Sequence, residues 1–296
     1  MMKLLRIAAL VLLIISLMSA CSYAGQYDIE ARTEIFVDND ESRSYTFDQV
    51  FHFKDETSKI GLGATQTLID ETGRTRSYCG GLIEGYKNFG TVDVAGKMKL
   101  VSWNGRFRAP LSLYSSQSLG RFRFEENFEY GTIDSVKAFD AHIDFTSAGG
   151  SVDYSILDAL TITGGYWHRW SSDENSRSLY LGRLIYDFND TCHVQYRYRC
   201  IRNKEKVPEY YSPETFDQHT VLFGYFDSFF DRIRLRAWVG PVFQDDGFES
   251  DIGMLEDVRV ICKITEAWAL EGRIEANQVG SGYQYVYSTL AVSYDF

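Results

Sequence analysis

The residues with the clearest chemical potential are arginines spaced two apart. Arg232, Arg234 and Arg236 alternate with Ile233, Leu235 and Ala237, and Arg197 and Arg199 alternate with Tyr196 and Tyr198. A guanidinium makes forked hydrogen bonds to carboxylates, phosphates and sugar hydroxyls. On a strand, whose side chains alternate with a period of two, such a row puts all its charge on one face. Arg121, Arg123, His193 and Arg273 stand in rows of the same kind. The stripe would then either guide anionic solutes or be neutralised by carboxylates on the same surface, for which Glu125, Glu129, Glu271 and Glu275 are the candidates.

Catalysis is less well supplied. Asp140, His142 and Asp144 would share one face of a strand and could exchange protons there, but such a row is also ordinary luminal polarity. Hydrolysis of lipid needs a nucleophile and a base within hydrogen-bond reach. The five histidines, at 52, 142, 168, 193 and 219, show no His-x-Ser arrangement like that of barrel lipases and deacylases. Beyond Cys21 the cysteines are Cys79, Cys192, Cys200 and Cys262. Cys192 and Cys200 fall on one predicted strand, and eight residues at about 3.3 Å each exceed disulfide reach. No C-x-x-C pair appears, so neither a metal nor another cofactor is expected.

The elements that must carry these rows are strands. From Tyr27 onward one theme repeats: about ten residues with every second side chain apolar, then a polar break containing Gly or Asp. Ile29, Ala31, Thr33, Ile35 and Val37 oppose Glu30, Arg32 and Glu34. Phe122, Phe124, Phe128 and Tyr130 oppose Arg121, Arg123, Glu125, Asn127 and Glu129. Val194, Tyr196 and Tyr198 oppose His193, Gln195, Arg197 and Arg199, while Trp268, Leu270, Ile274 and Ala276 oppose Glu271, Arg273, Glu275 and Asn277. A soluble sandwich alternates too, but several charges facing large aromatics over a full membrane-spanning length favour lipid outside and water or salt bridges inside. With 20 Tyr, 20 Phe and only 4 Pro, the composition suits strands as well.

The expected fold is therefore all-β, a transmembrane up-and-down antiparallel β-barrel. Segments near 27–38, 44–53, 60–70, 77–87, 91–101, 106–114, 120–130, 138–156, 159–170, 176–188, 191–201, 216–227, 231–242, 254–264, 267–277 and 283–296 make about 16 strands, though 12 to 18 fit the same breaks. The segment 138–156 is overlong and suggests a hairpin broken at Ser147-Ala148-Gly149-Gly150, and 106–114 contains Pro110. The longest break, Arg202 to Thr215, holds Pro208 and Pro213 and is expected to fold inward or lie across the mouth.

Residues 1–24 read as a signal peptide, with Lys3 and Arg6 before an apolar run from Ile7 to Leu17, leaving 25–296 as the barrel. Two cleavage positions compete. Ser22-Tyr23-Ala24 fits ordinary cleavage, whereas Leu17-Met18-Ser19-Ala20-Cys21 resembles a lipobox, which would leave Cys21 lipidated. Because the segment carries two basic residues and no acid, its removal takes the formal charge from -11 to -13, which argues against a nucleic-acid partner. At the other end Leu290, Val292, Tyr294 and the terminal Phe296 alternate. This closely resembles the C-terminal recognition strand of outer-membrane β-barrel proteins. The resemblance implies location in the cell outer membrane, with lipid and the barrel insertion machinery as partners.

Tyr210-Tyr211-Ser212-Pro213-Glu214, followed by the strand QHTVLFGYF, resembles a segment in the C-terminal barrels of polysaccharide-secretion proteins, the cellulose synthase operon C class and YaiO-like barrels. That resemblance implies an export pore for a sugar polymer, although the helical-repeat region that precedes the barrel in the cellulose class is not seen. About 16 strands can leave an aqueous channel. The expected function is passage of small hydrophilic solutes or of an exported polysaccharide through a charged lumen. The alternatives are a non-conducting structural or adhesive barrel and, behind it, an outer-membrane lipid hydrolase.

Overall fold

The computed structural model describes residues 26–38, 42–103, 106–133, 135–247, 249–280 and 284–296. The expected signal segment, with Cys21, lies outside the described residues.

The strands are β1 (Gln26–Asp38), β2 (Ser42–Lys54), β3 (Ser58–Glu71), β4 (Arg74–Asn88), β5 (Val92–Trp103), β6 (Arg106–Arg108), β7 (Leu111–Leu119), β8 (Phe122–Thr132), β9 (Asp144–Leu157), β10 (Leu160–Ser171), β11 (Ser176–Asp187), β12 (Cys192–Asn203), β13 (Thr215–Phe229), β14 (Ile233–Asp245), β15 (Ser250–Lys263), β16 (Trp268–Val279) and β17 (Tyr285–Asp295). A single short helix among the described residues, α1 (Val136–Asp140), lies between β8 and β9. Each strand pairs antiparallel with its neighbours, and β1 pairs with β17 from Asp28↔Asp295 to Asp38↔Tyr285, which closes the sheet on itself. β6 and β7 both pair with β5, and the Lys99 amide donates to the Pro110 carbonyl between them. They are one strand interrupted at Pro110, which has no N–H for the ladder. The barrel thus has 16 strand positions, the even number the sequence suggested.

Side-chain alternation sorts the two faces. Leu62, Ile83, Phe128, Ile162, Leu184, Phe223, Ile274 and Leu290 are exposed on the outside, while Asp48, His52, Thr163, Gln218 and Asn277 are buried on the inside. Outward aromatics gather into two bands. Near the end that carries Phe296 are Tyr27 with Phe51 and Phe53, Phe122 with Tyr154, Tyr186 with Phe188, and Trp268 with Tyr294. Near the other end are Tyr166 with Tyr180, and Tyr198 with His219. Paired aromatic girdles around an apolar band mark the two interfaces of a bilayer. All four described cysteines are free, and Cys79, Cys192, Cys200 and Cys262 alternate on the outward face.

One expected element is different. Residues 138–156 hold no hairpin: 138–140 belong to α1, and β9 runs unbroken through Ser147–Gly150. The Ser135 hydroxyl caps the helix by accepting from the Ala138 amide at 3.5 Å. Val136 and Phe139, three apart and so on one helix face, pack inward on Ile69, with Tyr78 stacked on Phe139 at 5.8 Å. Gly149 serves packing rather than a turn, since a Cβ there would come within 2.5 Å of Trp167.

Connections at the Phe296 end are short, as at 120–121 and 158–159, whereas 133–143 and 204–214 at the other end are long.

Candidate functional site

Three walls of the lumen carry most of its charge, and they are not alike. On β1–β5 the charges are paired. His52, 1% exposed, sits between Asp28 Oδ1 at 2.5 Å and Glu84 Oε1 at 2.6 Å. Arg32 reaches Glu84 at 2.5 Å and Glu30 at 3.1 Å, Lys59 lies 3.1 Å from Asp28, and Asp48 accepts from Lys97 at 2.7 Å and Thr65 at 2.6 Å. Gly61 makes room for this network, because a Cβ there would stand 2.4 Å from the His52 ring. Asp28, Glu30 and His52 group their donor atoms closely enough for a metal ion. The Lys59 ammonium already supplies positive charge at that spot, and both imidazole nitrogens face carboxylates.

On β15–β17 the pattern is similar. Arg273 holds Asp257 at 2.9 Å and Glu275 at 2.6 Å, Arg259 holds Glu271 at 2.7 Å, and the Tyr285 hydroxyl donates to Glu275 at 2.5 Å.

The wall of β10–β12 is unlike either. Its inward face carries Arg169 and Arg177, paired across β10 and β11, then Arg183 and Arg197, paired across β11 and β12, with Arg199 two residues from Arg197. Arg183 has Asp153 at 3.3 Å, but Arg177, Arg197 and Arg199 form no salt bridge among the described residues. Nε and Nη2 of Arg197 and Nε of Arg199 are buried without a hydrogen-bond partner. Arg177 lies within Coulombic reach of both Arg169 and Arg199, and Arg197 within reach of Tyr285 and Glu275 on the far wall. Like charges gathered on one wall repel one another. An anion entering here relieves that repulsion.

The residues singled out by spacing are distributed unevenly among these walls. Glu271, Arg273 and Glu275 face inward as parts of the β15–β17 network: Glu271 is held by Arg259, Arg273 holds Asp257 and Glu275, and Glu275 also lies within Coulombic reach of Arg197 on β12. Arg123, Glu125 and Glu129 face inward on β8, where Arg123 and Glu125 pair with each other at 2.9 Å. Arg234 and Arg236 face inward on β14, and Arg236 stacks over Phe226 at 4.4 Å. His193 binds Asp187 at 2.6 Å beside Phe226. Arg121 and Arg232 fall in short turns at the rim rather than on a strand face; Arg121 donates there to the Ile156 carbonyl at 2.8 Å. The row Asp140-x-His142-x-Asp144 does not exist as a strand face. Asp140 ends α1 and is held by Arg74 and Arg76, His142 has a positive φ of 61°, and Asp144 opens β9 against Arg108. The Arg76 hydrogen bond, aided by its charge and that of Arg74, lowers the Asp140 pKa below the ordinary carboxylate value. A histidine–serine contact does occur on the outward face, His168 to Ser178 at 2.9 Å, but Tyr166 shares the same ring nitrogen, so the ring is not held between a nucleophile and an orienting acid.

Spacing missed Arg169, Arg177 and Arg183. The inward face of β11 also carries Leu179, Leu181 and Ile185, and that of β10 carries Trp167 and Gly165 beside Arg169, so no clean polar row advertises those arginines.

The mouth at the long-loop end is spanned by 204–214. Asn175 donates to the Glu205 carbonyl and the Tyr210 hydroxyl, each at 3.0 Å, and Tyr210 donates to Asp173 at 3.1 Å. Arg177 donates to the Tyr211 carbonyl and Asn203 to that of Pro213. From the other side of the mouth, the Ser135 hydroxyl lies 2.5 Å from the Glu209 carbonyl and 2.9 Å from Glu71. Burial raises the Tyr210 pKa above the ordinary phenol value. Beneath the loop is a cavity of about 670 Å³ that reaches from Phe36 and Glu71 to Arg169 and Arg177.

Closure, alternation and paired aromatic girdles decide the architecture. The fold is that of an outer-membrane β-barrel. A solved structure named as a bacterial polysaccharide outer membrane secretin matches it with a TM-score of 0.71 at 10% identity, covering 93% of this chain and 100% of that one. Porins match less well: Acinetobacter baumannii OccAB3 at a TM-score of 0.44 and 10% identity over 92% of this chain and 99% of that one, and a Rhodopseudomonas blastica porin mutant at 0.42 and 12% over 91% and 99%. No family model and no curated protein matches the sequence.

Proposed function

We propose that this outer-membrane-type barrel is a channel for hydrophilic solutes, with an exported glycan as its favoured cargo. The long-loop end is placed outside and the Phe296 end in the periplasm. The observation that carries this reading is the β10–β12 wall, where Arg177, Arg197 and Arg199 face the lumen with no salt bridge among the described residues. A closed structural barrel gains nothing from such a wall, because buried unpaired charge destabilises it. Rows of arginine in a pore favour anions. A glycan cargo is what the Tyr210–Glu214 resemblance implies, and a protein named for polysaccharide secretion shares the fold.

The test is conductance in a planar bilayer. The wild type should pass ions, and replacing Arg197 and Arg199 together by Gln should move the reversal potential in a salt gradient toward cation preference. The shift should shrink at high salt, where screening shortens the field to a few Å. Absence of conductance, both in the wild type and after shortening of 206–212, would support the closed structural barrel instead.

A further inference from the structure

Beside the arginine wall, near the long-loop end, β13 and β14 carry inward polar groups that their own fold leaves unsatisfied. Gln218, Thr220 and Gln244 are only 2%, 1% and 2% exposed. Gln218 donates to Gln244 Oε1 at 3.2 Å, and Asn277 donates to the same oxygen at 3.4 Å. Gln218 Oε1, Thr220 Oγ1 and Gln244 Nε2 have no partner. Such orphaned buried groups each cost free energy, and a cluster of them calls for a ligand or water to complete it.

Registration puts this cluster against the guanidiniums: Arg199 is paired with Gln218, and Arg197 with Thr220. Phe216, paired with Ile201, lies under the Arg199 guanidinium at 5.4 Å. Arg199 in turn lies within Coulombic reach of Arg177, which lines the cavity beneath loop 204–214 together with Phe36 and Tyr210. That cavity, of about 670 Å³, has Arg169 and Arg177 in its lining, whereas Arg197, Arg199 and the amide cluster lie outside it.

We infer that the arginines 197 and 199 and the amide cluster of Gln218, Thr220 and Gln244 form a recognition site for an acidic sugar unit of a glycan chain. The guanidiniums take the carboxylate of a uronic acid in forked pairs. The amides and the hydroxyl, which offer both donors and acceptors, take neighbouring sugar hydroxyls. A simple inorganic anion would satisfy the first set and leave the second unfilled; a neutral sugar would do the reverse. The inference deepens the channel reading and names its substrate class.

The experiment uses the full chain folded in detergent and two probes with one backbone: cellohexaose, and the same hexamer oxidised at C6 to carboxylates. Binding is read by calorimetry and conductance on the same preparation. The carboxylated hexamer should bind at least tenfold more tightly. Arg197→Gln with Arg199→Gln should abolish that preference, whereas Gln244→Leu, or the near-isosteric Thr220→Val should Gln244→Leu fail to fold, should weaken both probes and keep it. Equal binding of the two hexamers overturns the inference, as does displacement of the carboxylated one by acetate at equal carboxylate concentration. Absence of binding at millimolar concentration in protein that conducts ions overturns it too and leaves the channel reading standing; loss of conductance with binding intact would do the opposite.

Discussion

The walls of β1–β5 and β10–β12 share one strand geometry and both carry inward cations, yet the first pairs them across strands and the second sets arginine beside arginine. On β1–β5 charges from different strands meet: Arg32 reaches Glu84 and Lys97 reaches Asp48. On β10–β12 arginine faces arginine across the ladder, as Arg169 with Arg177 and Arg183 with Arg197. The first arrangement stiffens a barrel; the second leaves Arg177, Arg197 and Arg199 without a salt bridge among the described residues. What separates them is where the carboxylates were placed, not the number of cations.

The largest expected effect tests the β1–β5 wall. Glu84→Ala would leave Arg32 and the buried His52 short of a partner, and breaking a buried pair from one side costs about 3–5 kcal/mol. Arg197→Gln, on the β10–β12 wall, should be neutral within about 1 kcal/mol or stabilising, since it removes a repelling neighbour. Denaturant titration of refolded protein in lipid reads both, and equal losses would erase the contrast.

The next effect checks the faces on which the comparison depends. Leu235→Arg and Leu270→Arg place a charge toward lipid and should cost about 2–4 kcal/mol near mid-bilayer, while the inward Arg234→Gln should be milder. Comparable costs in the same refolding assay would mean that the inside and outside are misassigned. Gly61→Ala follows at about 1–3 kcal/mol, because its methyl group must displace the His52 ring. Gly164→Ala, outward with open space around it, is the control and should change little.

The smallest effect concerns the edge of the β1–β5 wall, where Asp140 docks α1 on Arg76 and Arg74. Its folded pKa is depressed, so the stabilisation is fully present above the ordinary carboxylate value near 4 and is lost as pH falls through the folded value. Hydrogen exchange of the α1 amides should therefore quicken below about pH 4 while the strands stay protected. Asp140→Asn should remove that pH dependence; if it does not, the docking rests on Phe139 and Val136 alone.

Most of the barrel was legible because a strand's period of two writes its faces into the chain. Glu271, Arg273 and Glu275 opposing Leu270, Gly272 and Ile274 could be read without knowing their neighbours. Pairing was not legible in the same way, since Arg32 and Glu84 are 52 residues apart and meet only when β1 curves past β4 inside the lumen. Helix α1 was missed because five residues are too few to show a period, though Ser135 as a cap with Val136 and Phe139 three apart carried the signal. The β10–β12 wall was half legible: Arg197 and Arg199 stood out, while Arg177 and Arg183 were masked by leucines on the same face.

Closure of β1 on β17 also sets a kinetic order. Every other pairing joins strands adjacent in the chain and can form as a hairpin, with short loops to close. The pairing of Ile29 with Tyr294 spans almost the whole chain and, as the most non-local contact, should form last. Until then both end strands expose an unpaired edge, and the alternating Leu290–Phe296 face is what the folding chain presents to lipid and to any assembly factor. The barrel is a row of local zips with one seam, and the time it takes to become watertight is the time taken to find that seam.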